Sequence, residues 1–263
     1  MSRDTELTQM PLILGRDPGR PDIEAHIATV WETMKSGGIA IVANDVGYGI
    51  WAADPAAVEM VYRTKRRGPH KRHAVTVDII GQREIHVLDR RRQDMIECVT
   101  QDYDLPLGVV ARFRPDHPFI RAIPQTLFKA STASGTVGCL MNGGRIHRAI
   151  GKLARENLMP VFGSSANISG SGTKFRIEDI EPGILGIADV IVDYGLRPYH
   201  PYQRSSTIMD FETLEVLRMG SCYELISDVL RRHFDLDLPV DPGRSVNPSG
   251  HLHEFALEDF DQS

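Results

Sequence analysis

Only three cysteines, Cys98, Cys139 and Cys222, occur in 263 residues. They are odd in number and far apart, which excludes a disulfide framework and the paired spacing of a zinc site. A reducing compartment is the expected home. No apolar run approaches the ~20 residues that cross a bilayer. The first residues, Met1-Ser2-Arg3-Asp4, lack the apolar core of a secretory signal. A cytoplasmic protein without a membrane partner is therefore expected. Glycine loops of the Gly-x-Gly-x-x-Gly and Walker types are missing, as are His-Glu-x-x-His and Gly-x-Ser-x-Gly. Their absence removes four enzyme classes that rest on those motifs and leaves no metal ligands to name. Positive charge is not in excess. The 30 Lys+Arg against 35 Asp+Glu give a net charge of −5. That argues against a globally basic nucleic-acid coat and leaves room for a local basic groove.

What is present suits a soluble core: 41% hydrophobic and 25% charged residues. Residues 1–21 carry Pro11, Pro18 and Pro21 and read as an irregular arm. Asp22 caps a helix over 23–35, with Ile23, Ile27, Val30, Trp31 and Met34 on one face. Ile39 to Ala43 reads as a short strand running into a polar loop, Asn44-Asp45-Val46-Gly47-Tyr48-Gly49. Asp54-Pro55 starts a second helix, which ends in the most basic segment, Lys65 to His73. Strands are expected at 74–79, 107–113, 136–141, 158–162 and 188–193. A charged helix is expected within 83–104 and a long surface loop over 114–135. Gly143-Gly144 precedes a helix with Ile146, Ile150 and Leu153 on one face. Residues 206–210 and 214–218 read as a hairpin. Ser221 caps a last helix through about His233, and the tail from Asp235 reads as poorly ordered. Helix and strand alternate, the sign of an α/β layer structure. The expected division is an arm at 1–21, one domain at 22–222, and a helix with an acidic tail at 223–263.

Chemistry is expected where polar loops follow strands: 43–49, 163–170 and 204–207. The loop Gly163-Ser164-Ser165-Ala166-Asn167-Ile168-Ser169-Gly170 gathers hydroxyls and an amide between glycines. Two readings stand, an ordinary turn and a loop that lets a ligand approach the backbone. The segment 65–73 likewise reads either as a solvated helix end, which favours cations, or as the basic rim of a cleft. His70 and His73 belong to that segment without a pattern that singles them out. Arg90 to Arg92 read as a solvated face.

The motifs taken in order resemble the Sua5/YrdC/YciO family, the threonylcarbamoyl-adenylate synthases of tRNA modification. The family's Pro-Thr-Asp/Glu-Thr-Val-Tyr-Gly-Leu is similar to Ala43 to Ile50. Its Lys-x-Arg-Pro is similar to Lys65-Arg66-Arg67 with an inserted Gly68 before Pro69. Its Thr-Val-Gly-Val-Arg resembles Thr136-Val137-Gly138-Cys139-Leu140. Ser-Ala-Asn-x-Ser-Gly is intact at 165–170, Ser-Thr-Ile at 206–208 and Leu-Arg-x-Gly at 217–220. The resemblance spans about residues 25–222. It implies an α/β fold, a YrdC-like twisted mixed sheet flanked by helices with a concave basic cleft. It implies ATP as a substrate, with Mg2+, bicarbonate and threonine. Lys65 and Arg67 would hold the phosphates or the carbamate. Ser165, Asn167, Ser206 and Arg218 would line the nucleotide site. Asn44, Asp45 and Tyr48 would shape the substrate site. The departures are Asn44 and Val46 in place of two threonines, Leu140 in place of an arginine, and Leu105-Pro106-Leu107-Gly108-Val109 where the family has Pro-Gly-Pro-x-Thr. Arg145, Arg204 or Arg90 to Arg92 are candidates to replace that cation. A diverged member acting on another amine, or a non-catalytic module binding RNA through its basic face, would fit the same departures.

Overall fold

The computed structural model describes residues 10–16, 19–66, 68 and 72–252. The described residues open with strand β1 (Leu12–Leu14), within the segment expected to be an irregular arm, and helix α1 (Ile23–Lys35). Asp22 caps α1 by accepting from the amide of Ala25, and Ile27, Val30, Trp31 and Met34 are its buried face. The hairpin β2 (Ala40–Asn44) and β3 (Gly47–Ala52) follows, then α2 (Pro55–Thr64) and β4 (Ala74–Thr76). The expected strand over 74–79 stops early because Asp78 caps α3 (Ile79–Ile85) with its side chain. Helix α4 (Arg90–Glu97) runs on into a π-turn at Cys98–Asp102 before β5 (Leu107–Arg112).

Residues 114–135, expected to be a loop, contain α5 (Pro118–Arg121), α6 (Gln125–Ser131) and the short strand β6 (Thr132–Ala133). His117 caps α5, and Pro118 at its first turn lacks only an amide that has no intrahelical partner. Then come β7 (Thr136–Met141), α7 (Arg145–Glu156), β8 (Val161–Ser165), α8 (Pro182–Leu185) and β9 (Val190–Val192). The expected hairpin is β10 (Thr207–Asp210) and β11 (Glu215–Arg218), and α9 (Tyr223–Phe234) closes the set. Ser221 does not cap α9. Its hydroxyl donates to the carbonyl of Arg204 instead, and Cys222, at φ 61°, is the residue that enters the helix.

The described strands form one mixed sheet in the order β1-β9-β2-β3-β8-β4-β7-β5-β10-β11, with β6 beside β7. The YrdC-like architecture, a twisted mixed sheet flanked by helices, is the one that the motifs implied. Strands β2 and β3 are buried on both faces, whereas β7 alternates between half-exposed and buried residues. Val137, Cys139 and Met141 thus point into the core, and Gly138 and Leu140 lie on the open face. The register places Leu140 opposite Gly108 and Gly138 opposite Val110. The tail is also corrected in part: residues 250–252 pair with β11 at the sheet edge, and 253–263 lie outside the described residues.

Candidate functional site

The 44–49 stretch is a hairpin turn rather than a loop, and β8 already includes Gly163 to Ser165. Residues 204–207 lead into β10 instead of following a strand. Ser165 pairs with Gly49, and the amide of Ala166 donates to the carbonyl of Tyr48 at 2.8 Å. The Ser-Ala-Asn loop therefore grows directly out of the hairpin. Lys65, at the end of α2, is 1% exposed. Its ammonium donates to the carbonyl of Ser165, to that of Asn167 at 2.6 Å, and to Asn167 Oδ1 at 3.4 Å. The amide of Ser169 returns a bond to the carbonyl of Lys65 at 2.9 Å. Lys65 thus braces the loop from within.

The far side of the loop is tied to Glu181. Its carboxylate accepts from the amide of Ile168 at 3.3 Å and the hydroxyl of Ser171 at 2.6 Å, and it pairs with Lys174 at 3.1 Å. Burial alone would raise its pKa, but the Ser171 and Lys174 bonds and the backbone amides outweigh it and hold the group at about 2. Arg67 lies outside the described residues.

Tyr48 is 1% exposed. Its hydroxyl donates to the carbonyl of Gly195 at 2.8 Å and accepts from the amide of Tyr194 at 3.1 Å. Burial, aided by Asp193, pushes it up to about 12, so it is a neutral part of the floor. Asn44 is buried, and its Oδ1 has no hydrogen-bond partner. A Cβ at Gly49 would lie 2.6 Å from Asn44 Nδ2 and 2.8 Å from Trp51 Nε1. Glycine there gives these two polar groups their room.

Asp45 points the other way. Its carboxylate accepts from Arg197 at 3.2 Å, and Arg197 also donates to the carbonyls of Asn44 at 3.0 Å and Tyr194 at 3.3 Å. Burial raises the Asp45 pKa, against the pull of Arg197 and Arg148. Gly144, at φ +108°, precedes α7, and a Cβ there would lie 2.8 Å from the Asp45 carboxyl. This explains the second glycine of the pair; a Cβ at the first, Gly143, would lie 2.9 Å from Leu140 and 3.0 Å from His147. Arg148, from the first turns of α7, donates to Asn142 Oδ1 and lies 3.7 Å from Asp104. Asn142 Nδ2 donates to Asp104 at 2.9 Å. Asp45, Arg197, Arg148, Asn142 and Asp104 thus form one cluster of mixed charge beside the α7 N-terminus.

Ser206 is buried and held by Arg218, which donates from Nε to its carbonyl at 2.8 Å and from Nη2 to its hydroxyl at 3.0 Å. Like Lys65, Arg218 binds a polar loop of its own chain. Ser165 and Ser206 are not neighbours along the sheet: β4, β7 and β5 lie between β8 and β10. The hairpin turn links the two regions. It reaches Ser165 through β3, and it reaches the Ser206 side through Tyr199, whose amide donates to the Asp45 carbonyl at 3.3 Å. Tyr199 lies beside Cys222, next to Ser221, which bridges to Ser206.

Leu140 occupies the open face where the resemblance implied a guanidinium. Arg145 pairs with Glu24 at 2.6 Å, Arg204 with Asp241 at 2.5 Å, and Arg92 with Asp89. The cations gathered beside Asp45 are Arg148 and Arg197 instead. Sequence reasoning missed them because Asp45, beside which both gather, lies far from either in the chain. A solitary arginine in a Tyr- and Pro-rich loop carries no local pattern.

The sequence model of the Sua5/YciO/YrdC family, described as Telomere recombination, matches residues 32–220. No curated protein matches the chain. Among solved structures, a hypothetical protein from Streptococcus mutans UA159, smu.1377c, superposes with a TM-score of 0.71 at 17% identity, covering 88% of this chain and 98% of that one. P. abyssi Sua5 complexed with L-threonine gives 0.64 at 19% identity over 88% of this chain, which spans 63% of that protein. Full-length HypF in its phosphate- and nucleotide-bound form gives 0.56 at 17% identity, over 75% of this chain and 29% of that one. At these identities the structural likenesses concern the fold, whereas the sequence match extends over most of the chain. The chain belongs to the Sua5/YciO/YrdC family.

Proposed function

We propose that this protein is an ATP-dependent nucleotidyltransferase that makes a carbamoyl-adenylate from bicarbonate and an amino acid. The observation that carries the reading is the Ser165 to Gly170 loop, complete in its motif and braced by Lys65 and Glu181. A loop fixed from both sides presents its hydroxyl and amide groups without reorganisation, which is what binding a nucleotide requires. The complexes of P. abyssi Sua5 with L-threonine and of HypF with nucleotide support ligands of these classes on this fold.

In this reading the amine attacks bicarbonate, forming a carbamate and releasing water. A carbamate oxygen then attacks the α-phosphorus of ATP, the bond to the β-phosphate breaks, and pyrophosphate leaves. Ser165, Asn167, Ser206 and Arg218 hold the nucleotide, and Lys65 keeps the loop in register. Arg67 meets the phosphates. Asp45 holds the amine, and Arg148 faces the carboxylate of the amino acid. Asn44 contributes its unpartnered Oδ1 as an acceptor, on a floor closed by Tyr48. Among the described residues no three His, Cys, Asp or Glu side chains converge as a metal cage. In this reading magnesium arrives on the triphosphate as part of the substrate.

The departures bear on which amine is used. Val46 offers no hydrogen bond, and a site without a hydroxyl partner discriminates poorly for threonine. Threonine is thus a weak substrate, and an amino acid without a side-chain hydroxyl is the better one. The test mixes ATP, magnesium, bicarbonate and each amino acid in turn, then follows pyrophosphate and the adenylated product by mass spectrometry. No adenylate with any amine, together with no heat on ATP titration, would sink the reading.

A further inference from the structure

The family match ends at residue 220, but the described chain after that point stays on the domain. Tyr223 donates its hydroxyl to the carbonyl of Pro239. Further on, the chain lies against β11. Arg218 and His251 form an antiparallel bridge. The amide of Met219 donates to the carbonyl of Gly250 at 2.8 Å, and that of Leu252 to the carbonyl of Leu217 at 3.2 Å. Gly250 sits at φ +77°, and a Cβ there would lie 1.9 Å from the Met219 carbonyl oxygen. No other residue fits this approach. Asn247 sets the turn, accepting from the amide of Gly250 at 2.9 Å and donating to the carbonyl of His251 at 2.9 Å.

Apolar burial is only part of why the strap 239–252 docks: Leu252 packs against the core, but the strap's two valines do not. Val240 is 89% exposed and Val246 is 71% exposed. The anchor is polar. Arg204, 4% exposed, donates to Asp241 at 2.5 Å and to the carbonyl of Asn247. Asp241 is itself oriented by the amide of Gly243 at 2.9 Å. Burial alone would raise its pKa, but the Arg204 bond and that amide hold it below the usual carboxylate range.

Arg204 is also the first residue of the loop that carries Ser206. Its carbonyl accepts from the hydroxyl of Ser221, and the carbonyl of Ser205 accepts from the amide of Ser221, both at 2.7 Å. A Cβ at Gly220 would lie 2.2 Å from the Ser205 carbonyl oxygen, so the two segments touch without a gap. The guanidinium of Arg204 therefore joins the strap to a loop whose backbone is clamped by residues 218–221.

We propose that Arg204 is a positioning residue and that the strap 239–252 is a working part of the nucleotide site. The Arg204–Asp241 pair fixes the Ser205–Ser206 loop, and with it Arg218. The functional half of this inference rests on the reading of Ser206 and Arg218 as nucleotide contacts. The clamp itself does not.

The experiment uses full-length protein carrying Asp241→Asn, Asp241→Glu or Gly250→Val. Amide hydrogen exchange is measured over 205–207, 219–221 and 165–169, and AMP affinity is measured by calorimetry. Asp241→Asn and Gly250→Val should speed exchange at 205–207 and 219–221, leave 165–169 unchanged, and weaken AMP about tenfold. Asp241→Glu should restore most of the affinity. Faster exchange confined to 239–252, or spread evenly over the sheet, overturns the clamp. Wild-type protein that binds no AMP overturns the nucleotide reading, and the exchange at 205–207 still decides whether the strap holds the loop.

Discussion

The ammonium of Lys65 lies 2.6 Å from the carbonyl oxygen of Asn167, in a residue that is 1% exposed. A charge placed there acts on the loop before it acts on any ligand. Lys65→Met removes the charge and leaves the carbonyls of Ser165 and Asn167 short of a donor. Each charge-assisted bond lost should cost about 1.5–3 kcal/mol. Because the loop itself shifts, ATP and adenosine should lose affinity by similar factors. Arg67→Ala, by contrast, should weaken ATP and spare adenosine. Calorimetry with both ligands separates the cases, and a Lys65→Met variant that keeps its adenosine affinity would show that the lysine grips phosphate directly.

Leu140 stands on the open face of β7 opposite Gly108, so its side chain can be exchanged for a longer polar one without entering the core. Leu140→Arg should bring a permanent cation to that face. If the face holds the triphosphate, the new contact is a charge-assisted bond of about 1.5–3 kcal/mol, and ATP should bind at least about tenfold tighter. Thermal stability should change little, since the position is half-exposed. Unchanged ATP affinity in a folded variant would move the phosphates away from β7.

Two histidines set the acid limb of stability. Burial lowers the pKa of His86 to about 4, although its bond to the carbonyl of Val137 works the other way. Burial, with Arg148 nearby, also lowers that of His147 to about 4. Between the ordinary value of 6.5 and 4 the unfolded chain takes up two protons that the folded chain refuses. Stability is therefore full above 6.5 and falls as the pH drops through this window. The loss is at most roughly 3 kcal/mol for each ring across it. Urea unfolding from neutral pH down to about 4.5 should show the slope. His86→Gln and His147→Gln should each flatten it by about half, and an unchanged slope in both would assign the titration to other groups.

The strands legible in the sequence were short apolar runs, and full burial did not hide them: Ile39 to Ala43 and residues 188–193 announced β2 and β9, both buried throughout. The strand-like run at 136–141 and the turn residues between 210 and 215 announced β7 and the β10–β11 hairpin. β3 was not legible, because two of its six residues are glycines, which read as loop beside Asn44 and Asp45. The reason for Gly49 is a long-range one, the space taken by Asn44 and Trp51. The short helices after residue 117 were hidden by their prolines, and the entry into α9 by a left-handed Cys222. Motif order carried the Ser165 loop and Ser206 as candidate site residues. It did not carry Arg197, whose partner Asp45 lies 152 residues away, nor Glu181, which acts on the loop from a separate turn. Side chains that work through distant contacts leave no spacing to read.

That long-range pair gives the last prediction. Arg197 is 9% exposed and donates to two carbonyls as well as to Asp45. Arg197→Met leaves all three acceptors short of a donor. Removing one partner of a buried pair costs about 3–5 kcal/mol. The Asp45 side chain is 33% exposed, so solvent screens part of that loss and about 2–3 kcal/mol is expected. Lysine is no substitute, because a single ammonium cannot span acceptors arranged around a planar fork. Asp45→Asn should behave differently. The amide oxygen can still accept from Arg197, and burial already works against the carboxylate charge, so stability should stay close to wild type. What Asn cannot do is balance the charge of an ammonium group. Binding of an amino acid to the AMP-loaded protein should therefore be lost in Asp45→Asn, while AMP itself binds as before. Urea unfolding and calorimetry on the two variants separate the roles, and equal destabilisation by both would reduce Asp45 to a structural partner of Arg197.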